Sequence, residues 1–331
     1  MSGETRREIR FGLIGLGRHG LRYATHLLED VPGARLTAVC RRDEKEGRDF
    51  ADRHGLNYYS DYRELIEDHE VDAIAAVVSP DLHPDICRCA ATAGKHILLE
   101  KPLARNLGEA QQILKHLSGP GIKFMLAQTL RFNSVVGEIK RRIGEVGRIH
   151  LMNFNQHMEP LGLAWLDDPV RAGGGNILHT GVHTFDLIHF LTGRNVVWAW
   201  CRLGQIYQRR NEDLFTAVFE LEDGIRCLVD SSKVTSGRSG RIEVVGEKGQ
   251  LVGDHVLGRL DLIQGRRAAP IQTPEPVHTV HKALEAFVEC VLMDRPTPVT
   301  AADGLRTLEV ATMCYRSVET GRVVRAEEIA I

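Results

Sequence analysis

Ile9-Arg10-Phe11-Gly12-Leu13-Ile14-Gly15-Leu16-Gly17-Arg18-His19-Gly20 is the stretch that decides the fold of this 331-residue chain. Its first six residues read as a short apolar strand, and a helical run follows from Arg18 to Glu29. A second strand, Arg35 to Cys40, then ends at Arg41. Strand, G-x-G-x-x-G, helix and strand within about 30 residues is the dinucleotide-binding fingerprint. Gly15 makes the tight turn, Gly17 lets backbone approach a pyrophosphate, and Gly20 packs the helix on the sheet. Arg18 and His19 fill the loop between them, and the helix start offers its N–H groups to phosphate. A structural βαβ unit that binds nothing is the competing reading. The complete strand–loop–helix context weighs against it.

Working outward, strand and helix signals alternate to about residue 128. Val71 to Val78 is a continuous apolar run, as in a buried parallel strand, and stops at Ser79-Pro80. His83 to Ala93 reads as a helix closed by Gly94, and His96 to Leu99 as a strand ending in Glu100-Lys101-Pro102. Asn106 is the expected cap of the next helix, and 123–127 one more strand. Such alternation predicts an α/β fold with an N-terminal Rossmann dinucleotide-binding domain over residues 1–128. Beyond it the period changes. Phe215 to Leu221 alternates, Glu222-Asp223-Gly224 turns, and Ile225 to Val229 follows; 241–245 and 250–252 flank a second turn at 247–249. These hairpins predict a C-terminal α+β domain over 129–331 with a large, mostly antiparallel open sheet. Helices are expected at 280–293 and 301–319, the closing one (301–320) able to pack back on the first domain.

Composition bounds the function. Apolar residues make up 43% and charged residues 26%, and the formal net charge of −2 leaves no electrostatic footprint for nucleic acid. No run approaches the ~18 apolar residues of a membrane span. The start, Met1 to Glu8, lacks the apolar segment of a signal peptide. Seven scattered cysteines without a C-x-x-C pair read as reduced core residues, so a cytoplasmic location is expected.

Two places carry the chemistry. Twenty-one residues after Gly20 stands Arg41, followed by Arg42, where an acidic residue would bind the ribose 2′-OH of NAD. A guanidinium there grips a 2′-phosphate instead, so NADP(H) is expected over NAD(H). Asp43 is the rival acid, but its position suits a helix cap. The second place is Gly173 to Asp186. Asn176 is the expected N-cap, and His179, His183, Asp186 and Phe190 share one helical stripe. Two imidazoles and a carboxylate suit a polar pocket wall. His-x-x-x-His is also a metal-ligand spacing.

With Glu100-Lys101-Pro102 in view, the chain resembles the Gfo/Idh/MocA family of nicotinamide-dependent oxidoreductases. The matching pieces are Gly15 to Gly20, Ser79-Pro80 with His83, Ala93 to His96, Glu100-Lys101-Pro102, Arg131-Phe132-Asn133, Gly173-Gly174-Gly175, Gly181-Val182-His183 with Asp186, and Asp303 to Arg306. The resemblance implies hydride transfer between nicotinamide and a secondary alcohol or ketone of a sugar, inositol or related polyol. It also implies no metal, and a homodimer or homotetramer built through the C-terminal sheet. It places Ser79, Pro80, His83, Glu100 and Lys101 on the cofactor, and makes Lys101 and His183 the groups that move or polarise the proton. Arg131, Asn133, Trp165, Arg171 and Asp186 are weaker substrate-side candidates, for which structural roles compete. His179 departs from the pattern, since many members carry Asp there. An extra titratable group beside His183 leaves open a nicotinamide-assisted hydrolase or epimerase, and a non-catalytic NADP-binding regulator is the third alternative.

Overall fold

The opening apolar run forms β1 (Ile9–Ile14), whose side chains are buried on both faces of a parallel sheet, Arg10 excepted. The computed structural model describes residues 8–119 and 121–329. The stretch read as lacking a signal peptide lies, up to residue 7, outside the described residues. After β1 come α1 (Gly20–Glu29), β2 (Ala34–Cys40), α2 (Glu44–His54), β3 (Asn57–Tyr59), α3 (Tyr62–Glu67), β4 (Ala73–Ala76), α4 (His83–Thr92), β5 (His96–Glu100), α5 (Leu107–Leu117) and β6 (Phe124–Ala127). The six strands lie parallel in the order β3-β2-β1-β4-β5-β6. Strand order reverses between β1 and β4, the switch point at which doubly wound folds open a crevice beyond the carboxyl ends of their strands. β4 is Ala-Ile-Ala-Ala with every residue buried, which explains why it read as apolar without alternation. Asp43 caps α2 by accepting from the Glu46 amide, and Asp61 caps α3 by accepting from that of Arg63.

The second sheet is built from β7 (Ile149–His157), β8 (Val196–Gly204), β9 (Leu214–Leu221), β10 (Arg226–Ser232), β11 (Ser239–Gly246), β12 (Gly249–Asp254), β13 (Arg259–Gln264), β14 (Arg267–Pro270) and β15 (Val324–Arg325). Its order is β14-β13-β12-β11-β7-β10-β9-β8-β15, antiparallel throughout except where β10 runs parallel to β7. The expected Asp-Gly hairpin joins β9 to β10, with both turn residues left-handed: Asp223 at φ 65° and Gly224 at φ 76°. Helices α6 (Ser134–Arg142), α7 (Pro169–Ala172), α8 (Val182–Thr192), α9 (Thr279–Leu292) and α10 (Ala301–Thr320) complete the chain.

Contacts divide the chain into two compact units. The first holds residues up to 104, 108–129 and 278–304; the second holds 105–107, 130–277 and 305 onward. The sequence boundary at 128/129 put 278–304 with the second domain. Packing puts it with the first, because α9 is an apolar-faced helix that lies on α1 and β1. Phe287 stacks edge-on against Phe11 at 6.0 Å, and the Val299 carbonyl accepts from the Leu126 amide.

Candidate active-site residues in the two units

In the first unit the candidate groups collect at the carboxyl ends of β1, β2, β4 and β5. Gly15 sits at φ 99°, and a Cβ there would lie 2.3 Å from the Val77 carbonyl oxygen, so the tight turn needs glycine. Among the described residues, and apart from its own chain neighbours, a Cβ at exposed Gly17 would meet no atom within 4 Å. Packing therefore does not call for glycine at 17, while a ligand brought close to the backbone would. His19, at the N-cap of α1, makes no side-chain cap bond, which leaves the helix start suited to phosphate. These observations fit a dinucleotide: Gly15, Gly17, Arg18 and Gly20 would hold its pyrophosphate.

The His19 ring instead reaches the Glu100 carboxylate at 2.8 Å. Glu100 is buried, and it also accepts from the Tyr23 hydroxyl at 2.6 Å and from the Lys101 backbone amide at 3.0 Å. Burial alone would raise its pKa. The His19 ring, the Lys101 ammonium and the Tyr23 hydroxyl outweigh burial and hold it down at about 2. Glu100 is thus a fixed anion between the glycine loop and Lys101. Half-buried Lys101 ends this strand in a cis peptide with Pro102. Burial pushes its amine below the ordinary lysine value, opposed by the Glu100 charge. His83, assigned by the sequence to the cofactor, has no exposed surface. Its Nδ1 faces the Pro102 and Leu103 carbonyls at 3.0 and 3.3 Å, and its Nε2 the Val78 carbonyl at 3.3 Å. It ties the segment that follows β4 to the segment that follows β5. Ser79 and Pro80 are buried beside it, at the end of β4.

Arg41 follows β2 as expected. Its Nη1 donates to the Leu16 carbonyl inside the glycine loop at 2.6 Å, and its Nη2 faces the Glu46 carboxylate. Arg42 is exposed.

In the second unit, His179 and His183 are half-buried in a run that is otherwise buried from Ile177 to Ile188. The helical run begins at Asn176, where the sequence placed it, but its first turn is not α-helical. Asn176 makes no cap bond, and Ile177–Gly181 form a π turn, with the Val182 amide returning to the Ile177 carbonyl. The turn breaks the uniform 3.6-residue stripe drawn through His179 and His183. Such π turns recur at functional sites. Its entry is held by Glu212, which sequence reasoning missed. This buried carboxylate accepts from the Gly175 amide at 3.1 Å, the Ile177 amide at 3.0 Å and the Tyr315 hydroxyl at 2.9 Å. Burial raises its pKa against those bonds. The signal available was the acidic pair Glu212-Asp213 ahead of an alternating strand.

Trp165 lies with its ring 6.3 Å from that of His179. Asp186 is clamped by Arg131 through Nε at 2.7 Å and Nη2 at 2.6 Å, both side chains buried. Asn133 caps α6, accepting from the Val135 and Val136 amides, and donates to the His255 carbonyl. The Arg131, Asn133 and Asp186 side chains therefore hold the framework together. Arg171 stands half-buried in the last turn of α7. Among the described residues no group of three or more His, Cys, Asp or Glu is arranged to hold a metal ion, and no helix is long and apolar enough to cross a membrane.

Residues 9–128 match the oxidoreductase family's NAD-binding Rossmann fold, and residues 138–326 match its C-terminal alpha/beta domain. The chain belongs to the Gfo/Idh/MocA oxidoreductase family. Myo-inositol 2-dehydrogenase of Thermotoga maritima is 26% identical over 97% of this chain and 99% of its own. Among solved structures, a putative NADPH-dependent oxidoreductase from Desulfitobacterium hafniense superposes with a TM-score of 0.89 at 23% identity, covering 98% of this chain and 99% of that one. Levoglucosan dehydrogenase in complex with NADH does so at 0.87 and 20% identity, covering 97% and 99%. At those identities the two structures speak for the fold. Gfo/Idh/MocA membership makes this an NAD(P)-dependent oxidoreductase.

Proposed function

We propose that this Gfo/Idh/MocA protein is an NADP-preferring dehydrogenase or reductase. Its substrate would be a secondary alcohol, or the matching ketone, of a sugar, inositol or related polyol. The observation that carries the reading is Lys101: an amine at the carboxyl end of β5, lowered in pKa by burial, beside an anion that protein groups hold in place. Relatives named for inositol oxidation support the substrate class.

The bound dinucleotide supplies the hydride acceptor or donor at its nicotinamide ring. The chain's own task is the proton. Lys101, in its neutral form, can take the hydroxyl proton as the carbinol carbon is oxidised, and return it to a ketone in the reverse direction. A lowered pKa enlarges that neutral fraction near neutrality. Glu100, anchored by His19 and Tyr23, keeps the Lys101 backbone oriented. On the second unit, His183 is the group assigned to orient the substrate and exchange the proton. His179, at the preceding π turn, would add a second imidazole where many family members have an acid.

Arg41 supports NADP(H): its guanidinium is already clipped to the glycine loop through Leu16. A spectrophotometric screen of sugars, polyols and keto-sugars with NADP+ and NADPH tests the substrate reading. Absence of nicotinamide turnover with every such compound would sink it. Titrating both cofactors tests the preference, and tighter NADH binding would reverse it. Assembly as a homodimer or homotetramer through the second sheet belongs to the same proposal and rests on the family resemblance.

A further inference from the structure

Arg41 does not stand alone at the end of β2. Its backbone amide donates to the Tyr59 carbonyl at 3.2 Å, and its own carbonyl accepts from the Tyr58 hydroxyl at 2.9 Å. One guanidinium nitrogen is committed to Leu16 in the glycine loop, and the other faces the carboxylate of Glu46. Glu46 sits in the first turn of α2, three residues after the capping Asp43. A glutamate at this place commonly reaches back to the cap's own backbone amide. Here its carboxylate turns to Arg41 instead, with 59% of its side chain exposed. The pair is therefore accessible to a ligand and screened by water, so exchanging its anion is cheap.

We infer that Glu46 is a specificity-determining residue. Its carboxylate occupies the guanidinium edge of Arg41 that a 2′-phosphate would use, and so moderates the preference for the phosphorylated cofactor. A 2′-phosphate has to displace a like-charged group from Arg41, whereas a ribose 2′-hydroxyl leaves the Arg41–Glu46 pair in place. The chain thus discriminates between the cofactors by less than Arg41 alone would allow. This inference rests on the proposed contact between Arg41 and the 2′-phosphate.

The test is calorimetric titration of the full chain with NADPH and with NADH, for wild type, Glu46→Gln, Arg41→Ala and the double variant. Glu46→Gln is expected to tighten NADPH about two- to fivefold, the order of an exposed charge pair, and to leave NADH unchanged within error. Arg41→Ala is expected to weaken NADPH selectively and to abolish the gain in the double variant. If Arg41→Ala weakens NADPH but Glu46→Gln does not tighten it, the Glu46 inference is overturned and the Arg41 reading stands. An Arg41→Ala variant with unchanged NADPH affinity overturns the Arg41 reading. A gain that survives in the double variant shows Glu46 acting without Arg41 and overturns the inference as stated.

Discussion

At the scale of single residues, Lys101 and Glu100 make sharp and separable predictions. Lys101→Met keeps the length of the side chain and removes the amine. Turnover should fall by about 10²- to 10⁴-fold, the usual worth of a positioned acid or base. Cofactor affinity should stay within a few-fold, so fluorescence titration of NADPH separates the two effects; a parallel loss of binding would remove Lys101 from the chemistry. The pH dependence has a definite sign. Oxidation needs the neutral amine, so its rate should climb with pH through a value below that of ordinary lysine, and the limb should vanish in the Met variant. Glu100 acts on stability instead. Its folded pKa of about 2 lies below the ~4.3 of an unfolded glutamate. The stability it contributes is present above the unfolded value and is lost as pH falls toward the folded one, on the order of 3 kcal/mol. Glu100→Gln should flatten the fall of melting temperature between about pH 4 and 2; an unchanged slope would contradict the depressed pKa. Both residues were legible in the sequence, but their division of labour was not. Nothing in the spacing of Glu100 and Lys101 shows that His19 and Tyr23, from another element, take up the carboxylate.

At the scale of elements, the helix that carries His179 and His183 shows where sequence reading ran out. The glycines, the buried stripe and both histidines could be read directly. The π turn could not, because it is sustained by Glu212 and Tyr315, residues distant in sequence that close on the entry of the helix. The three glycines provide the entry to that helix, and all three are space requirements: a Cβ on Gly173 would lie 2.6 Å from the Arg105 Cβ. A Cβ on Gly174 would lie 2.1 Å from the Tyr315 hydroxyl oxygen, and one on Gly175 would lie 2.0 Å from the Glu212 carbonyl oxygen. Tyr315→Phe should cost about 1.5–3 kcal/mol for the lost hydrogen bond to a buried carboxylate. Gly174→Ala should cost more, and less in the Tyr315→Phe background, since the nearest clashing atom is gone while the ring carbon at 2.9 Å remains. Urea unfolding of the four proteins measures that coupling. Strict additivity would mean that Gly174 and Tyr315 do not meet.

At the scale of the whole chain, the doubly wound first half was legible because its strands are short apolar runs separated by helices, two of them capped by Asp43 and Asp61. The parallel pairing of β10 with β7 and the edge strands β13 to β15 were not, since such pairings depend on register between distant segments. The domain boundary suffered for the same reason. Helix α9 is amphipathic, and its sequence cannot say which sheet its apolar face will cover. In the structure that face belongs to the first unit: Phe287 and Val288 are buried, and Val288 and Leu292 lie over Gly33. Phe287→Ala removes a fully buried ring in edge contact with Phe11, and should cost about 3–5 kcal/mol. The location of the damage is the stronger test. Hydrogen exchange in the variant should accelerate across α1, β1 and β6, on which α9 packs, while β7 and β9 to β12 keep their protection. Loss of protection in the second sheet, with β1 unaffected, would return 278–304 to the domain in which the sequence first placed it.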